Sequence, residues 1–234
     1  MFNMFKTKPI IEFYTDIPVA LEHYPPQLSK TNFIETFKKV KISPDAKANI
    51  KNCPGIIDYS KTGYIIRTWQ DFSIEANNTG EWFEWNAPLN ADDYVIKNLN
   101  FKGVTKKEID FFNEKIFFEH FPRPNTLQTV LKFSTPWYVN VPKGYKVLFL
   151  PVWYDNETRF SVIPGLLDTQ LSNNINVQVY WHALGKKEIL KAGTPLVKIV
   201  PVKDEEYDHV FRLITDKEHY KLKSYLYKLS NVFR

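Results

Sequence analysis

Asp168 closes the stretch Pro164-Gly165-Leu166-Leu167-Asp168, after which the chain turns polar. A carboxylate there can either orient a reacting group or turn the chain. Aspartate is a frequent turn former because its side chain accepts from backbone amides two residues on. The turn role is the expectation. Trp69, Trp82 and Trp85 lie among Asp71, Glu75, Glu81 and Glu84. Rings beside carboxylates can hold sugars by packing on the sugar's apolar face. The same large rings also dominate buried area in cores, and that is the expected use. None of the five histidines forms an i, i+4 pair, and no His-x-Glu or His-x-Asp occurs. No metal is therefore expected, because a site needs three or four converging ligands. Cys53 sits between Asn52 and Pro54, with Lys51 its nearest basic neighbour. It is expected to end a helix and not to act as a nucleophile. A Gly-x-Ser-x-Gly elbow, a P-loop and a dinucleotide fingerprint are all absent.

The elements that would position these residues follow from composition and pattern. The chain has 234 residues, 44% hydrophobic and 16% aromatic, enough for a real core. One cysteine allows no internal disulfide and fits a reducing compartment. The longest apolar run, Val147 to Trp153, is far too short to span a bilayer, and the N-terminus does not read as a signal peptide. The expected location is the host cytoplasm or a virion. The net charge of +5 is mild, so nucleic acid is not an expected partner. Charge is segregated along the chain. Lys38, Lys39, Lys41, Lys47 and Lys51 are opposed only by Asp45, whereas residues 68–96 hold acids and no Lys or Arg. Two solvated surfaces are the plain interpretation; a head-to-tail contact between protomers is the sharper one.

Strands are predicted in PIIEFY, GYIIRTW, FSIEA, GEWFEW, TVLKFST, YKVLFLPVW, RFSVIPGLL, INVQVYWHAL and TPLVKIVPV, all rich in β-branched or aromatic residues. Asn77-Asn78-Thr79-Gly80 is a hairpin turn, and prolines bound most later strands. HYPPQLSK reads as a stiff loop, TNFIETFKKV as a helix, and Ser43-Pro44 as the start of a second helix ending near Asn52. Residues 105–120 carry Ile109, Phe112 and Ile116 at helical spacing behind a Thr105/Glu108 capping box. After Val202 a polar hinge leads to an amphipathic helix with Leu222, Leu226 and Leu229 on one face. The fold class is α+β, mainly β. Short bent antiparallel strands form a β-clip-like barrel, with two or three helices in the first half and a C-terminal amphipathic helix. Residues 1–202 form one β-rich domain with a helical insertion at about 105–120, and 203–234 form a helical appendage.

Two resemblances bear on function. Pro142-Lys143-Gly144-Tyr145, Pro164-Gly165-Leu166-Leu167-Asp168 and Lys191-Ala192-Gly193-Thr194-Pro195 are ordered as in dUTPase-type β-clip proteins. That resemblance covers about residues 130–202. It implies a carboxylate near Asp168 that orients water, with Tyr145 or Tyr154 as a stacking partner and magnesium as cofactor. Thr169-Gln170-Leu171 supplies no aromatic, and PVWYDNETRFSV stands where a serine-rich phosphate loop would be. A longer resemblance, over most of residues 9–202, is to an uncharacterised family of tailed phages of marine bacteria and some bacteria. Cys53-Pro54, Gly63-Tyr64-Ile65 and Trp69 match its pattern. It implies a phage origin and names no catalytic residue.

Three readings follow. The favoured one is a non-enzymatic binding or structural protein that assembles with itself or with other phage proteins and needs no cofactor. The alternatives are a nucleotide-hydrolysing enzyme working through Asp168 with magnesium, and a glycan-binding module using Trp69, Trp82 and Trp85.

Overall fold

Strand β11 (Asn174–Trp181) shows why this sequence makes sheets: Ile175, Val177, Val179 and Trp181 are buried, and each residue between them is half-buried. That period of two lines one face of a strand with apolar groups. The structure, a computed structural model, describes residues 8–31, 34, 53–88, 109–111, 123–153 and 157–223. All strand pairs among them are antiparallel.

Three sheets surround one core. In the first, β7 (Leu131–Asn140) pairs along one side with β11, which pairs in turn with β9 (Phe160–Val162). The other side of β7 takes β1 (Glu12–Tyr14) near one end and β6 (Ile109–Phe111) near the other. The second sheet runs β10 (Gly165–Leu167), β8 (Tyr145–Leu150), β13 (Pro195–Lys203), β3 (Tyr64–Arg67), β2 (Gln27–Leu28). The third runs β12 (Lys186–Leu190), β4 (Phe72–Ala76), β5 (Phe83–Asn86). Phe133, Trp137, Val147, Trp181, Ile74 and Ile199 meet in a single apolar cluster drawn from all three sheets.

The mainly β, antiparallel class expected from the sequence is what the chain forms, with three differences. Residues 109–111 are a strand where helical spacing predicts a helix. Ile109 is buried opposite Phe133, and β7's open side supplies backbone partners, so tertiary pairing overrides local periodicity. The rest of the predicted helix at 105–120 lies outside the described residues. Second, Cys53 is the N-cap of helix α2 (Pro54–Lys61), a helix not expected from the sequence. Pro54 opens that helix because its missing N–H has no intrahelical partner in the first turn. Third, between the PIIEFY strand and the HYPPQLSK loop, where no element is expected, helix α1 (Pro18–His23) forms, entered through Pro18, and the expected loop itself contributes β2. Residues 29–31 and 34 are helical; the remainder of the helix expected at 31–40, and the one expected from Ser43, lie outside the described residues.

Two crossings join the second sheet to the third, and one buried side chain ties them together. Residues 68–71 lead from β3 to β4, and 191–194 lead from β12 to β13. Thr68 Oγ1 donates to Lys191 O (2.7 Å) and accepts from Thr194 N (3.1 Å), while the Thr68 backbone exchanges bonds with Thr194 O and Gly193 N. Asp71 adds Ala192 N at 2.8 Å and Lys191 Nζ at 2.7 Å. Thr194 N bonds to Lys191 O across a four-residue turn whose third residue, Gly193, has φ +87°. That conformation favours glycine.

Helix α2 covers the far face of the second sheet over Lys198. The Lys198 ammonium lies 3.8 Å from the centre of the Tyr59 ring and donates to Tyr59 O, in the last turn of α2. The negative end of a helix suits a cation. Even so, burial pushes the Lys198 amine down to about 8.

Both contacts are open to measurement. Thr68→Val removes two hydroxyl bonds in a buried place and is expected to cost about 1–2 kcal/mol in urea unfolding, with an unchanged denaturant slope. For Lys198, the unfolded chain keeps its proton up to the ordinary lysine value, whereas the folded chain releases it near pH 8. Between those limits the unfolded state binds more protons, so stability rises with pH. Relative to Lys198→Met, the wild-type chain is expected to gain about 2–3 kcal/mol between pH 7 and pH 11, read by parallel urea titrations.

Candidate functional site

The first and second sheets leave a cleft of about 300 Å³ between β9 and the start of β13. Pro151, Val152 and Trp153, which follow β8, form one wall. Pro195 and Leu196 close the bottom, and Pro164 stands on the rim. Proline explains the opening. Pro151 and Pro164 fall just after β8 and β9, and a residue without an amide hydrogen cannot extend a ladder.

Strand β9 is the outer strand of its sheet, and its hydrogen-bond parity can be worked out. Ile163 N donates to Gln178 O, and His182 N donates to Arg159 O. In an antiparallel pair such bonded positions alternate with unbonded ones. Ser161, opposite Tyr180, therefore bonds into β11, whereas the amide and carbonyl groups of Phe160 and Val162 face outward. Among the described residues they meet no backbone partner. Both residues line the cleft.

Polar groups gather on the outer face of the same strands. Ser161 Oγ and His182 Nε2 are 2.6 Å apart. Arg123 lies with its guanidinium carbon 5.1 Å from the centre of the Tyr180 ring, directly across from Ser161. Arg123 is placed by a latch between sheets: Leu127 N donates to Trp181 O and Gln128 N to Gly80 O. A side chain at Gly80, where φ is +72°, would collide with Thr126 O at 2.6 Å. Burial, and then the Arg123 charge, pushes the His182 imidazole below its ordinary value, so at neutral pH it is uncharged. Glu157, on the cleft wall, is already occupied by Arg159 at 2.6 and 2.9 Å. Burial alone would raise the Glu157 carboxyl; the Arg159 hydrogen bonds outweigh it and leave it below the ordinary value. Arg159 also donates to Ile189 O, tying β9 to the third sheet. The cleft thus offers apolar walls, backbone unpaired among the described residues, the Ser161 hydroxyl with His182 behind it, and one guanidinium with no carboxylate against it among the described residues.

Sequence reasoning points to different residues. Asp168 stands just after β10, where its Oδ1 accepts from Gln170 N at 2.9 Å and its carbonyl from Leu171 N and Ser172 N. This is a turn, as expected, and it does not line the cleft. Tyr145 opens β8 behind a Pro142–Tyr145 turn with Gly144 at φ +82°, and packs against the core. Tyr154 lies outside the described residues. Trp69 is 5% exposed and belongs to the core, Trp85 packs against that core, and Trp82 is 48% exposed. A buried ring cannot offer its face to a sugar, so the three tryptophans do not make one platform. Among the described residues no group of three His, Cys, Asp or Glu side chains is placed to hold a metal. No described helix is long and apolar enough to cross a membrane.

Ser161, His182 and Arg123 are not a set that the sequence reveals. Alternation in RFSV and VYWHA puts Arg159 with Ser161 and Tyr180 with His182, but only the pairing register brings the two strands' residues together.

No family model matches the chain, so the resemblance to an uncharacterised phage family gains no support from that source. No curated protein matches either. Among solved structures, a dUTPase from phage phi11 of S. aureus is similar at 10% identity and a TM-score of 0.38, over 88% of this chain and 97% of that one. The dUTPase of Staphylococcus bacteriophage 80alpha is similar at 10% identity and a TM-score of 0.39, over 88% and 99%. At that identity and score the similarity carries no inference about what this chain does.

The charge on Arg123 is expected to be felt at His182. In Arg123→Gln the imidazole is expected to titrate at a higher pH than in the wild type, followed by the His182 ring signals in NMR; burial still holds it below a free histidine.

Proposed function

We propose that the chain is a non-enzymatic binding or structural protein of phage origin that works as a homo-oligomer, joined through the residues beyond β13. One observation carries this reading. After Lys203 the chain runs without regular structure to residue 215, and Val210, Phe211 and Leu213 are 83%, 90% and 91% exposed. Single exposed apolar residues are ordinary, but a contiguous run of them marks an interaction surface. The segment is not shapeless. Thr215 and Glu218 form a reciprocal capping box at 3.0 and 3.4 Å, and residues 216–223 are helical. Arg212 grips Glu218 at 2.6 and 2.9 Å and, as the first cause, holds its carboxyl down to about 2. A defined, apolar and uncovered arm fits a role in assembly.

The nucleotide-hydrolase alternative asks Asp168 to orient water in a site, whereas its Oδ1 caps a turn by accepting from Gln170 N and the residue does not line the cleft. The glycan alternative asks Trp69 to be open, and it is buried. The phage origin rests on the sequence resemblance of residues 9–202.

Sedimentation velocity tests the assembly. The full chain is expected to sediment as an oligomer at micromolar concentration, and a chain ending at Lys203 as a folded monomer. A full chain that stays monomeric at high concentration overturns the proposal.

A further inference from the structure

We infer that the cleft beside β9 receives residues 204–215 of a second copy as an added strand. This rests on the assembly reading above and says where the arm goes.

The unpaired edge comes first. Phe160 and Val162 turn two amide and two carbonyl groups into the cleft, and an extended backbone is the partner such an edge recognises. A small ligand would need matching groups at strand spacing; a peptide has them inherently.

Charge and polarity then select the peptide. A strand added to β9 continues both faces of the sheet, with successive side chains alternating between them. The inner side is apolar, with Phe160, Val162, Pro195 and Leu196. The outer side carries Ser161 and Tyr180 under the Arg123 guanidinium. In the arm, Phe211 and Leu213 share one parity and Asp208 has the other. Phe211 and Leu213 thus meet the apolar side while Asp208 meets Arg123; Val210, Arg212 and Ile214 share the parity of Asp208, and Arg212 is already held by Glu218. Asp204 and Glu205 are already paired, with Lys146 and Lys203, whereas Asp208 has no ion pair among the described residues.

The uncovered arm makes the donor a different copy. It leaves at Lys203, anchored by Asp204 N on Gly144 O, whereas Pro195 and Leu196, from the other end of the same strand, form the floor of the cleft. The arm's apolar residues are exposed in its own chain, so its own cleft does not hold them. Arm to cleft is a head-to-tail contact, which closes into a ring or runs on as a filament.

Val162→Pro tests the edge. The Val162 amide faces outward, so proline removes a donor only the incoming strand uses, and edge strands tolerate it. The variant is expected to keep its far-UV circular dichroism while its assembly weakens by about tenfold or more. A second experiment needs no change to the edge. Chains carrying Cys53→Ser with Trp153→Cys are mixed with chains carrying Cys53→Ser and Phe211→Cys. Oxidation is expected to give a disulfide-linked pair of the two, and not of either alone. If the chain ending at Lys203 is monomeric while Val162→Pro assembles normally and no mixed disulfide forms, the arm docks elsewhere: this inference falls and the assembly reading survives. If the full chain is monomeric, both fall.

Discussion

A buried threonine governs how the sheets sit on one another. Thr68 bonds to the opposite inter-sheet crossing through its hydroxyl and through both backbone groups. Because residues 68–71 and 191–194 are the two routes between the second and third sheets, zipping them together sets the relation of those sheets. The same zipper delivers Pro195 and Leu196 to the floor of the cleft. Asp71 reinforces it from the exposed side, where an ion pair alone contributes little. The backbone bond from Ala192 is the more useful half of that contact.

The cleft itself results from strands that stop early. β9 has three residues and β10 has three, separated by Pro164. Two consecutive short strands that belong to different sheets force the chain across a gap, and the gap is the cleft. Its polar side leaves one cation, Arg123, without a carboxylate partner among the described residues. Glu157 is consumed by Arg159, and His182 is kept neutral by burial and by Arg123. Arg123 is then the charge an incoming group meets.

Much of the fold was legible in the sequence. The strands in INVQVYW and FSIEA and the Asn77–Gly80 turn sit where composition and turn chemistry place them, and the Pro142–Tyr145 turn sits where the β-clip resemblance implies it. What escaped was set by partners distant in sequence. Ile109 obeys a helical period locally, yet β7 captures it as a strand. KKEIL, with three charged residues in five, lacks the usual strand composition and pairs with β4 throughout its length. Pro54 reads from the sequence as the stop of a helix ending near Asn52, and in the described residues it is the first residue of α2. For the site, Asp168 was legible as a turn because that chemistry is local. The Ser161–His182–Arg123 grouping was not, since it depends on a strand register and on a loop latched from far along the chain.

The Thr215–Glu218 box closes all its bonds within one turn, so winding of residues 216–223 is started by neighbours in sequence and owes nothing to the sheets. Unlike β11, which waits for partners far along the chain, this turn has every bond it needs close at hand.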